Sequence, residues 1–171
     1  MRDAPVHPAA IPAQQLLAEC REQRTRRSGP GGQHRNKVET GVVLVHQPTG
    51  ARAEATERRS QAQNRRVALS RLRVTLAIDA RCEAASPYVP SALWRERCRN
   101  GRIIVSRNHE DFPAVLAEAL DVIVANNYDV KAAAEALDCS SSQLIRLLRL
   151  EPLALAAVNR SRAQVDLHPL K

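Results

Sequence analysis

The residues best suited to chemistry lie in a short glycine-rich segment, residues 28–37, which reads SGPGGQHRNK. Three glycines and one proline within five positions predict a loop with special backbone angles. The paired glycines let the backbone approach a bound group closely, and the Gln33 that follows presents an amide donor and acceptor at the loop tip. Such a loop could enter a narrow polyanionic cavity, although an isolated Gly-Gly-Gln segment is more often an ordinary surface turn. Four basic residues flank the tip: Arg26, Arg27, Arg35 and Lys37.

Two further segments follow this loop along the chain. HQPTG occupies residues 46–50, and RSQAQNR occupies residues 59–65. Together with the loop they resemble the catalytic domain of class I peptide chain release factors, whose pattern runs from a G-G-Q loop through a P-T-G turn to an R-S-Q-x-x-N-K/R helix start. The resemblance covers about residues 14–80, and it extends to the short, release-factor-like peptidyl-tRNA hydrolases that rescue ribosomes.

The resemblance implies a catalytic role for Gly31, Gly32 and Gln33 in the peptidyl transferase centre of the ribosome. The Gln33 backbone N–H would donate to the oxyanion that forms when water attacks the ester carbonyl. Its side chain, which can be N-methylated in the family, would orient that water. Ribosomal RNA and the terminal ribose of the tRNA would supply the remaining groups, so no metal and no cofactor are expected. The implied partners are large-subunit rRNA and peptidyl-tRNA. The basic residues expected to contact RNA are Arg26, Arg27, Arg35, Lys37, Arg58, Arg59, Arg65 and Arg66.

Two features depart from the family pattern. Arg35 stands where release factors usually have an aliphatic residue, and nothing among the 27 residues before the loop resembles a stop-codon-reading domain. Short family members without that domain act on stalled ribosomes, so the resemblance implies codon-independent rescue. Those members often end in a disordered basic tail, whereas the second half of this chain is expected to be folded.

Charge is consistent with an RNA partner for the first half. The net charge is +8, and residues 1–79 contain 14 Lys/Arg and 7 Asp/Glu, whereas residues 80–171 contain 12 and 11. A basic surface of this kind attracts a polyanion such as RNA. The four cysteines form no C-x-x-C pair, and the sequence shows no signal peptide and no apolar run long enough for a membrane span. We therefore expect a cytoplasmic monomer with free thiols and no membrane partner.

The sequence predicts an α+β fold in two domains. Residues 1–80 are expected to form a release-factor-type GGQ domain, in which a short antiparallel sheet packs on one helix. A β-branched run, the P-T-G turn and a returning strand predict a hairpin over residues 42–55. A helix over residues 14–20 and a strand over residues 21–27 are predicted before the loop. Behind a Ser60 N-cap, leucines at helical spacing predict an amphipathic helix with a basic face. The leucines are Leu69, Leu72 and Leu76, and the arginines are Arg58, Arg59, Arg65, Arg66, Arg71 and Arg73.

Prolines near residues 80–90 predict a domain boundary, and residues 86–171 are expected to form an all-helical C-terminal domain. A short helix over residues 91–99 is expected to carry Trp94 as a core anchor. Residues 103–105 have an extended pattern without an evident strand partner, and residues 130–150 have the outline of a helix-turn-helix. The helix between them has one predicted apolar stripe: Leu116, Leu120, Ile123 and Val124.

The helix-turn-helix outline allows two interpretations. If it bound nucleic acid, Gln143, Arg146 and Arg149 would face the ligand. The turn lacks the glycine often found there, and the charge of this half is near zero. Both features favour an ordinary αα corner, or a contact with protein or with the ribosome.

Two other functions remain open: an RNA- or ribosome-binding protein without hydrolytic activity and, less favoured, a helix-turn-helix DNA-binding regulator. The histidines are not expected to be catalytic, because no acid or nucleophile is placed with them. His34 and His46 are expected to be RNA-facing or structural, and His109 is expected to belong to a capping turn rather than to a metal site.

Overall fold

The structure is a computed structural model that describes residues 6–25, 40–85 and 87–171. Within those ranges the chain forms seven α-helices, a three-stranded antiparallel sheet and a two-stranded hairpin, which confirms the α+β class and the largely helical second half. No helix in this described part is long and apolar enough to cross a membrane. After a short 3-10 helix, Pro8–Ala10, the elements are α1 (Ala13–Ala18), β1 (Cys20–Thr25), β2 (Gly41–His46), β3 (Arg52–Ala55), α2 (Gln61–Asp79), α3 (Ala92–Arg97), β4 (Cys98–Arg99), β5 (Arg102–Ile103), α4 (Phe112–Ala125), α5 (Val130–Ala136), α6 (Ser141–Arg149) and α7 (Pro152–Gln164).

The three-stranded sheet has the order β1-β2-β3, with antiparallel pairing throughout. The central strand β2 is almost wholly buried, and α2 packs against both β2 and β3. In β3, Ala53 and Ala55 are buried, whereas Arg52 and Glu54 are exposed, as strand geometry requires. The edge strand β1 carries exposed polar and charged side chains, which discourage pairing with another chain. The predicted sheet packed on one helix is therefore confirmed.

The glycine-rich segment connects β1 to β2, and the two strands approach closely at its base. Thr25 at the end of β1 pairs with Gly41 at the start of β2. A Cβ on Gly41 would lie 2.8 Å from the Thr25 carbonyl oxygen and 2.9 Å from the Thr56 methyl carbon. A glycine is therefore needed at this position, because any side chain would push the two strands apart.

Helix α4 is the central helix of the described structure. Eleven of its residues are buried, so apolar contacts surround most of its circumference. Leu116, Leu120 and Ile123 are buried as predicted, but Val124 is 37% exposed and does not continue the stripe. The predicted stripe was too narrow because α4 packs against α2 on one side and against α3, α5 and α6 elsewhere.

The two predicted domains meet along an apolar interface. Buried residues on both sides of positions 80–90 belong to one hydrophobic core, and α2 packs directly against α4. Arg73, predicted to lie on the basic face, instead ties the halves together. Its guanidinium donates to the carbonyl of Ala9 at 3.1 Å and to that of Glu110 at 2.8 Å. The division at residues 80–90 stays a prediction.

The segment after α3 differs from its prediction. The helix ends at Arg97, and β4 then pairs with β5 through a turn at Asn100 and Gly101, whose φ angles are 50° and 72°. An Asn-Gly pair with two positive φ angles is typical of a tight hairpin turn. The strand partner that the sequence did not reveal is β4, because its residues had been assigned to the preceding helix. Trp94 is a core anchor as predicted: it is 1% exposed and its Nε1 donates to the Leu137 carbonyl at 2.8 Å.

The helix-turn-helix outline is confirmed by α5 and α6. Ser140 caps α6 by accepting from the backbone N–H of Gln143 at 3.3 Å. The turn between the helices needs a left-handed residue, and Asp138, with φ 51°, takes the place that glycine often fills. Three leucines close this core, each 0% exposed: Leu137, Leu144 and Leu148.

We expect Leu72→Ala, in the first half, to lower the urea midpoint that the fluorescence of Trp94 reports from the second half. Removing a fully buried leucine side chain costs about 2–5 kcal/mol, and a shared core transmits that cost to both halves. Leu153→Ala is the control, because that side chain is 68% exposed. Two independently stable domains would leave the Trp94 transition unmoved in Leu72→Ala.

Candidate functional site

The glycine-rich loop itself lies outside the described residues. The structure describes the frame that carries both ends of the loop, from β1 on one side and from Thr40 and β2 on the other. The predicted site residues that fall within residues 26–39, and so outside the described ranges, are Arg26, Arg27, Gly31, Gly32, Gln33, His34, Arg35 and Lys37.

A buried amide joins the exit of the loop to the start of α2. Asn64 is 0% exposed, and its Nδ2 donates to the carbonyl oxygens of Thr40 at 2.6 Å and Arg58 at 3.0 Å. Its Oδ1 accepts from the Arg58 backbone N–H at 2.9 Å. An aspartate could not donate here and a leucine could neither donate nor accept, so the asparagine of the RSQAQNR segment has a structural reason.

A second buried side chain braces the P-T-G turn. His46 is 1% exposed and lies between Thr49 Oγ1, at 2.7 Å from its Nδ1, and Glu19 Oε2, at 3.0 Å from its Nε2. Because a carboxylate only accepts, Nε2 carries the proton and donates to Glu19. Gly50, with φ 74°, closes the turn. The expected structural role of His46 is confirmed, and the turn is thereby tied to the residue that follows α1.

The HQPTG and RSQAQNR segments therefore act as supports for the loop. One fixes the chain immediately after it, through Asn64, and the other fixes the far end of β2, through His46. The sequence predicted the turn and the helix start from these segments but not the supporting contacts. His46, a polar residue at the end of the apolar run GVVLV, was the available signal, whereas Asn64 lies among polar residues and gave none.

The four described arginines that were expected to contact RNA are all exposed. Arg65 is already engaged, since its Nε donates to Glu22 Oε2 on β1 at 2.8 Å. The side chains of Arg58, Arg59 and Arg66 form no ion pair within residues 6–25, 40–85 and 87–171, so their charges face solvent. These three arginines lie beside or within the first turns of α2, which Asn64 joins to the loop exit.

The predicted basic face is shorter than the sequence suggested. Arg71 pairs with Glu57 at 2.6 Å and also donates to the Glu54 carbonyl, so it braces the end of β3. Arg73 is used between the two halves of the chain. Both lie further along α2, and their guanidinium groups bind protein atoms. The positive charge left for a ligand is therefore concentrated at the start of the helix.

The cysteine thiols are poorly suited to act as nucleophiles. Burial is the main cause that raises the pKa of each thiol, and it raises the pKa of Cys139 to about 12. A thiol that stays protonated near neutral pH attacks a carbonyl slowly, because the thiolate is the reactive form. All four cysteines lie in the described residues and none forms a disulfide: Cys20, Cys82, Cys98 and Cys139.

One cluster could in principle hold a metal ion. Ligand atoms of His7, Cys82 and Asp121 lie within 4.8 Å of one another, although the residues are far apart in sequence. His7 Nδ1, however, accepts from the backbone N–H of Ala9 at 3.0 Å, so its Nε2 carries the proton and faces the Ala80 carbonyl at 3.2 Å. Both ring nitrogens are in use, and neither presents a free lone pair for a metal.

The chemistry of this cluster fits an anchor better than a ligand set. Asp121 accepts from the backbone N–H of Cys82 at 3.2 Å, and its Oδ1 lies 3.5 Å from Arg81 Nη1. Burial lowers the pKa of His7 and raises the pKa of Asp121. The cluster thus fastens the beginning of the described chain to the end of α2 and to α4.

Comparison with known proteins identifies the family of this segment. Residues 13–100, slightly more than half of the chain, match the RF-1 domain. Peptide chain release factor PrfB1, chloroplastic, from Arabidopsis thaliana is 40% identical over 82 residues, which cover 44% of this chain and 18% of that protein. Peptide chain release factor 1 from Verminephrobacter eiseniae is 42% identical over 84 residues, covering 47% of this chain and 23% of that protein. Peptide chain release factor 2 from Variovorax paradoxus is 48% identical over 59 residues, covering 34% and 16%.

Each of these matches spans less than a quarter of the relative's own length. The shared part contains the two strands that flank the loop, the P-T-G turn and helix α2. Helices α4 to α7 lie beyond the end of the matched domain.

We expect Asn64→Ala to lower the free energy of unfolding by about 2–3 kcal/mol, because it removes three hydrogen bonds and leaves buried backbone groups unpaired. Urea denaturation followed by far-ultraviolet circular dichroism measures the change. Gln63→Ala, at the exposed neighbouring position, is the matched control and should change stability by no more than about 0.5 kcal/mol. Equal effects of the two substitutions would contradict the role assigned to Asn64.

Proposed function

This chain belongs to the RF-1 domain family, and on that premise we propose that it hydrolyses peptidyl-tRNA within the ribosome and releases the nascent chain. The observation that carries the proposal is the contact between Asn64 and Thr40, which joins the RSQAQNR helix start to the exit of the glycine-rich loop. Loop, turn and helix start thus belong to one braced unit.

The proposed reaction needs few groups from the protein. Water attacks the carbonyl carbon of the ester between peptide and tRNA, and the Gln33 backbone N–H donates to the oxygen that becomes negative. The bond from that carbon to the terminal ribose oxygen breaks, the ribose oxygen takes a proton, and the peptide leaves with a free carboxyl group. Gly31 and Gly32 permit close approach of the backbone, and the Gln33 side chain orients the water.

The raised pKa values of the cysteine thiols agree with this mechanism, since burial disfavours the thiolate, which is the nucleophilic form. His46, whose two ring nitrogens are bound to Thr49 and Glu19, is likewise occupied as a support rather than placed for catalysis. The proposal assigns the remaining catalytic groups to ribosomal RNA and to the tRNA itself.

The exposed arginines at the start of α2 are proposed to bind ribosomal RNA. Arg58, Arg59 and Arg66 present guanidinium groups to solvent close in sequence to the braced loop exit. A guanidinium group matches the geometry of a phosphate with two parallel hydrogen bonds, and RNA supplies phosphates in series. We include Arg65 and the four basic residues beside the loop tip: Arg26, Arg27, Arg35 and Lys37.

Codon-independent rescue of stalled ribosomes is the finer form of the proposal. Residues 6–25 pack within the braced unit, where His7 and Leu16 are buried, and the helices and the β4–β5 hairpin of residues 87–171 pack on the same core. The described residues on both sides of the loop therefore pack on one core, and the surfaces they leave exposed are proposed to bind RNA. The alternative is an RNA-binding protein without hydrolytic activity. The release experiment distinguishes it from a hydrolase.

We expect the chain to release peptide from ribosomes stalled at the end of a truncated mRNA, where no stop codon is present. Gly32→Ala and Gln33→Ala should each slow release by about 10²-fold, the cost of misplacing reacting groups: the first puts a Cβ where the backbone must approach closely, and the second removes the side chain that orients the water. Gln15→Ala, at an exposed position on α1, is the control and should release peptide at the parent rate. Absence of release by the parent chain on both truncated and stop-codon mRNA would contradict the proposal, and release only with a stop codon would contradict rescue.

The double variant Arg59→Ala, Arg66→Ala should require more protein for half-maximal release. Its dependence on salt should weaken as well, by about one unit of log–log slope for each phosphate that is no longer bound. Arg95→Ala, Arg160→Ala removes the same charge from exposed positions in the second half and serves as the control. Equal half-maximal concentrations and equal salt dependence in the two double variants would show that the start of α2 does not bind RNA.

A further inference from the structure

A basic groove of about 780 Å³ lies between the β4–β5 hairpin and helix α6, in the second half of the chain. Its lining includes four arginines and a histidine, and no aspartate or glutamate among the described residues that line it. This local excess of positive charge does not show in the total for residues 80–171, where 12 basic side chains nearly balance 11 acidic ones. The near-neutral average had favoured an ordinary helical corner.

Three arginines in the groove keep their charge available. Arg99, Arg102 and Arg146 are exposed, and none of them forms an ion pair with a described residue. The Nε of Arg99 donates to the Glu96 carbonyl at 3.3 Å, which orients the guanidinium without neutralising it. Arg97 differs, because it pairs with Asp111 at 2.6 Å.

The hairpin holds two of these arginines side by side at a cost. Arg99 on β4 pairs directly with Arg102 on β5. Like charges directly opposite each other disfavour a pair of strands, so an anion bound between these two arginines would stabilise the hairpin. The cross-strand arginine pair is therefore a second indication, beside the lining of the groove, that the ligand is an anion.

The groove is fixed in shape by a contact between its two walls. Gln143 Oε1 on α6 accepts from the Ile103 backbone N–H on β5 at 3.2 Å. Arg146 lies one turn further along α6 and lines the same groove. The three arginines therefore sit on two elements that are already joined, so less conformational entropy is lost when they bind a ligand.

We propose that this groove binds the phosphate backbone of RNA through Arg99, Arg102 and Arg146. Arginine is suited to phosphate because its planar fork donates two parallel hydrogen bonds, and successive phosphates of one strand can meet successive arginines. The binding of RNA rests on the charge and form of the groove. That the RNA is ribosomal rests on the proposed function.

The same geometry argues against sequence-specific recognition of DNA. Of the three α6 residues expected to face nucleic acid, Gln143 is bound to the hairpin and Arg149 donates to the Lys171 carbonyl. Only Arg146 belongs to the groove lining. Phosphate contacts position a nucleic acid without reading its bases, so the expected binding is independent of sequence.

The test compares a groove variant with a variant matched in charge. The groove variant is Arg99→Ala, Arg102→Ala, Arg146→Ala. The control removes three exposed basic side chains from the same half, outside the groove: Arg95→Ala, Lys131→Ala and Arg160→Ala. Affinity for a labelled RNA stem-loop and for vacant ribosomes is measured over a salt series. Both variants change exposed positions, and the Trp94 fluorescence midpoint in urea verifies that each is folded.

For the groove variant we expect weaker binding to both probes, and a log–log salt slope shallower than that of the parent by about three, one for each phosphate that the variant no longer binds. The control should keep the parent slope. Equal affinity and slope in the two variants would overturn the proposal. Loss of ribosome binding with unchanged stem-loop binding would also overturn it, because the groove would then contact a ribosomal protein. A parent preference for one DNA sequence over RNA at high salt would overturn it too.

Peptide release by the parent chain, measured in parallel, separates this inference from the proposed function. If the parent releases peptide and the groove variant binds RNA like the control, the groove proposal fails and the function stands. If the parent releases no peptide while the groove variant alone loses RNA affinity, the function fails and the groove proposal stands.

Discussion

The amide of Asn64 is the constraint on which the arrangement of the first half depends. It is fully buried, and three hydrogen bonds join it to Thr40 and Arg58. A buried amide without partners would be costly, so the chain can adopt this packing only when the exit of the loop and the start of α2 are both in place. The Asn64 side chain thereby holds the residue after the glycine-rich loop against the start of α2. The His46 contacts serve the same purpose at the opposite end of β2.

The second half of the chain supports the first half through a shared core. Helix α4 is buried around most of its circumference and packs against α2, so the three-stranded sheet with α2 and the helical region share one core. Two surfaces with free positive charge result, one at the start of α2 and one in the groove of the β4–β5 hairpin. Both lie on or directly beside elements that pack on that core. The two proposed RNA contacts therefore rest on one folded unit.

Sequence patterns predicted the elements that depend on local periodicity. The hairpin over residues 42–55, the leucine face of α2 and the anchor role of Trp94 follow from alternation, helical spacing and size, and the structure confirms them. Sequence reasoning missed what depends on contacts between distant residues. The residues of β4 were assigned to the preceding helix, so its pairing with β5 was missed, and the contact of Asn64 with Thr40 spans 24 positions that no local pattern records. Net charge was a poor guide for a related reason, since an average over 92 residues conceals a groove with no aspartate or glutamate among its described lining residues.

The central claim is that Asn64 serves hydrolysis by holding the loop that carries Gln33. A double-mutant cycle on peptide release from stalled ribosomes tests it most directly, with the parent, Asn64→Ala, Gln33→Ala and the double variant compared at a temperature where all four are folded. If Asn64 acts through the loop, its substitution slows release by a larger factor in the parent than in Gln33→Ala, because the water-orienting side chain that depends on loop placement is already absent from that variant while the backbone N–H donor remains. Independent effects, in which the rate losses simply multiply, would contradict the account.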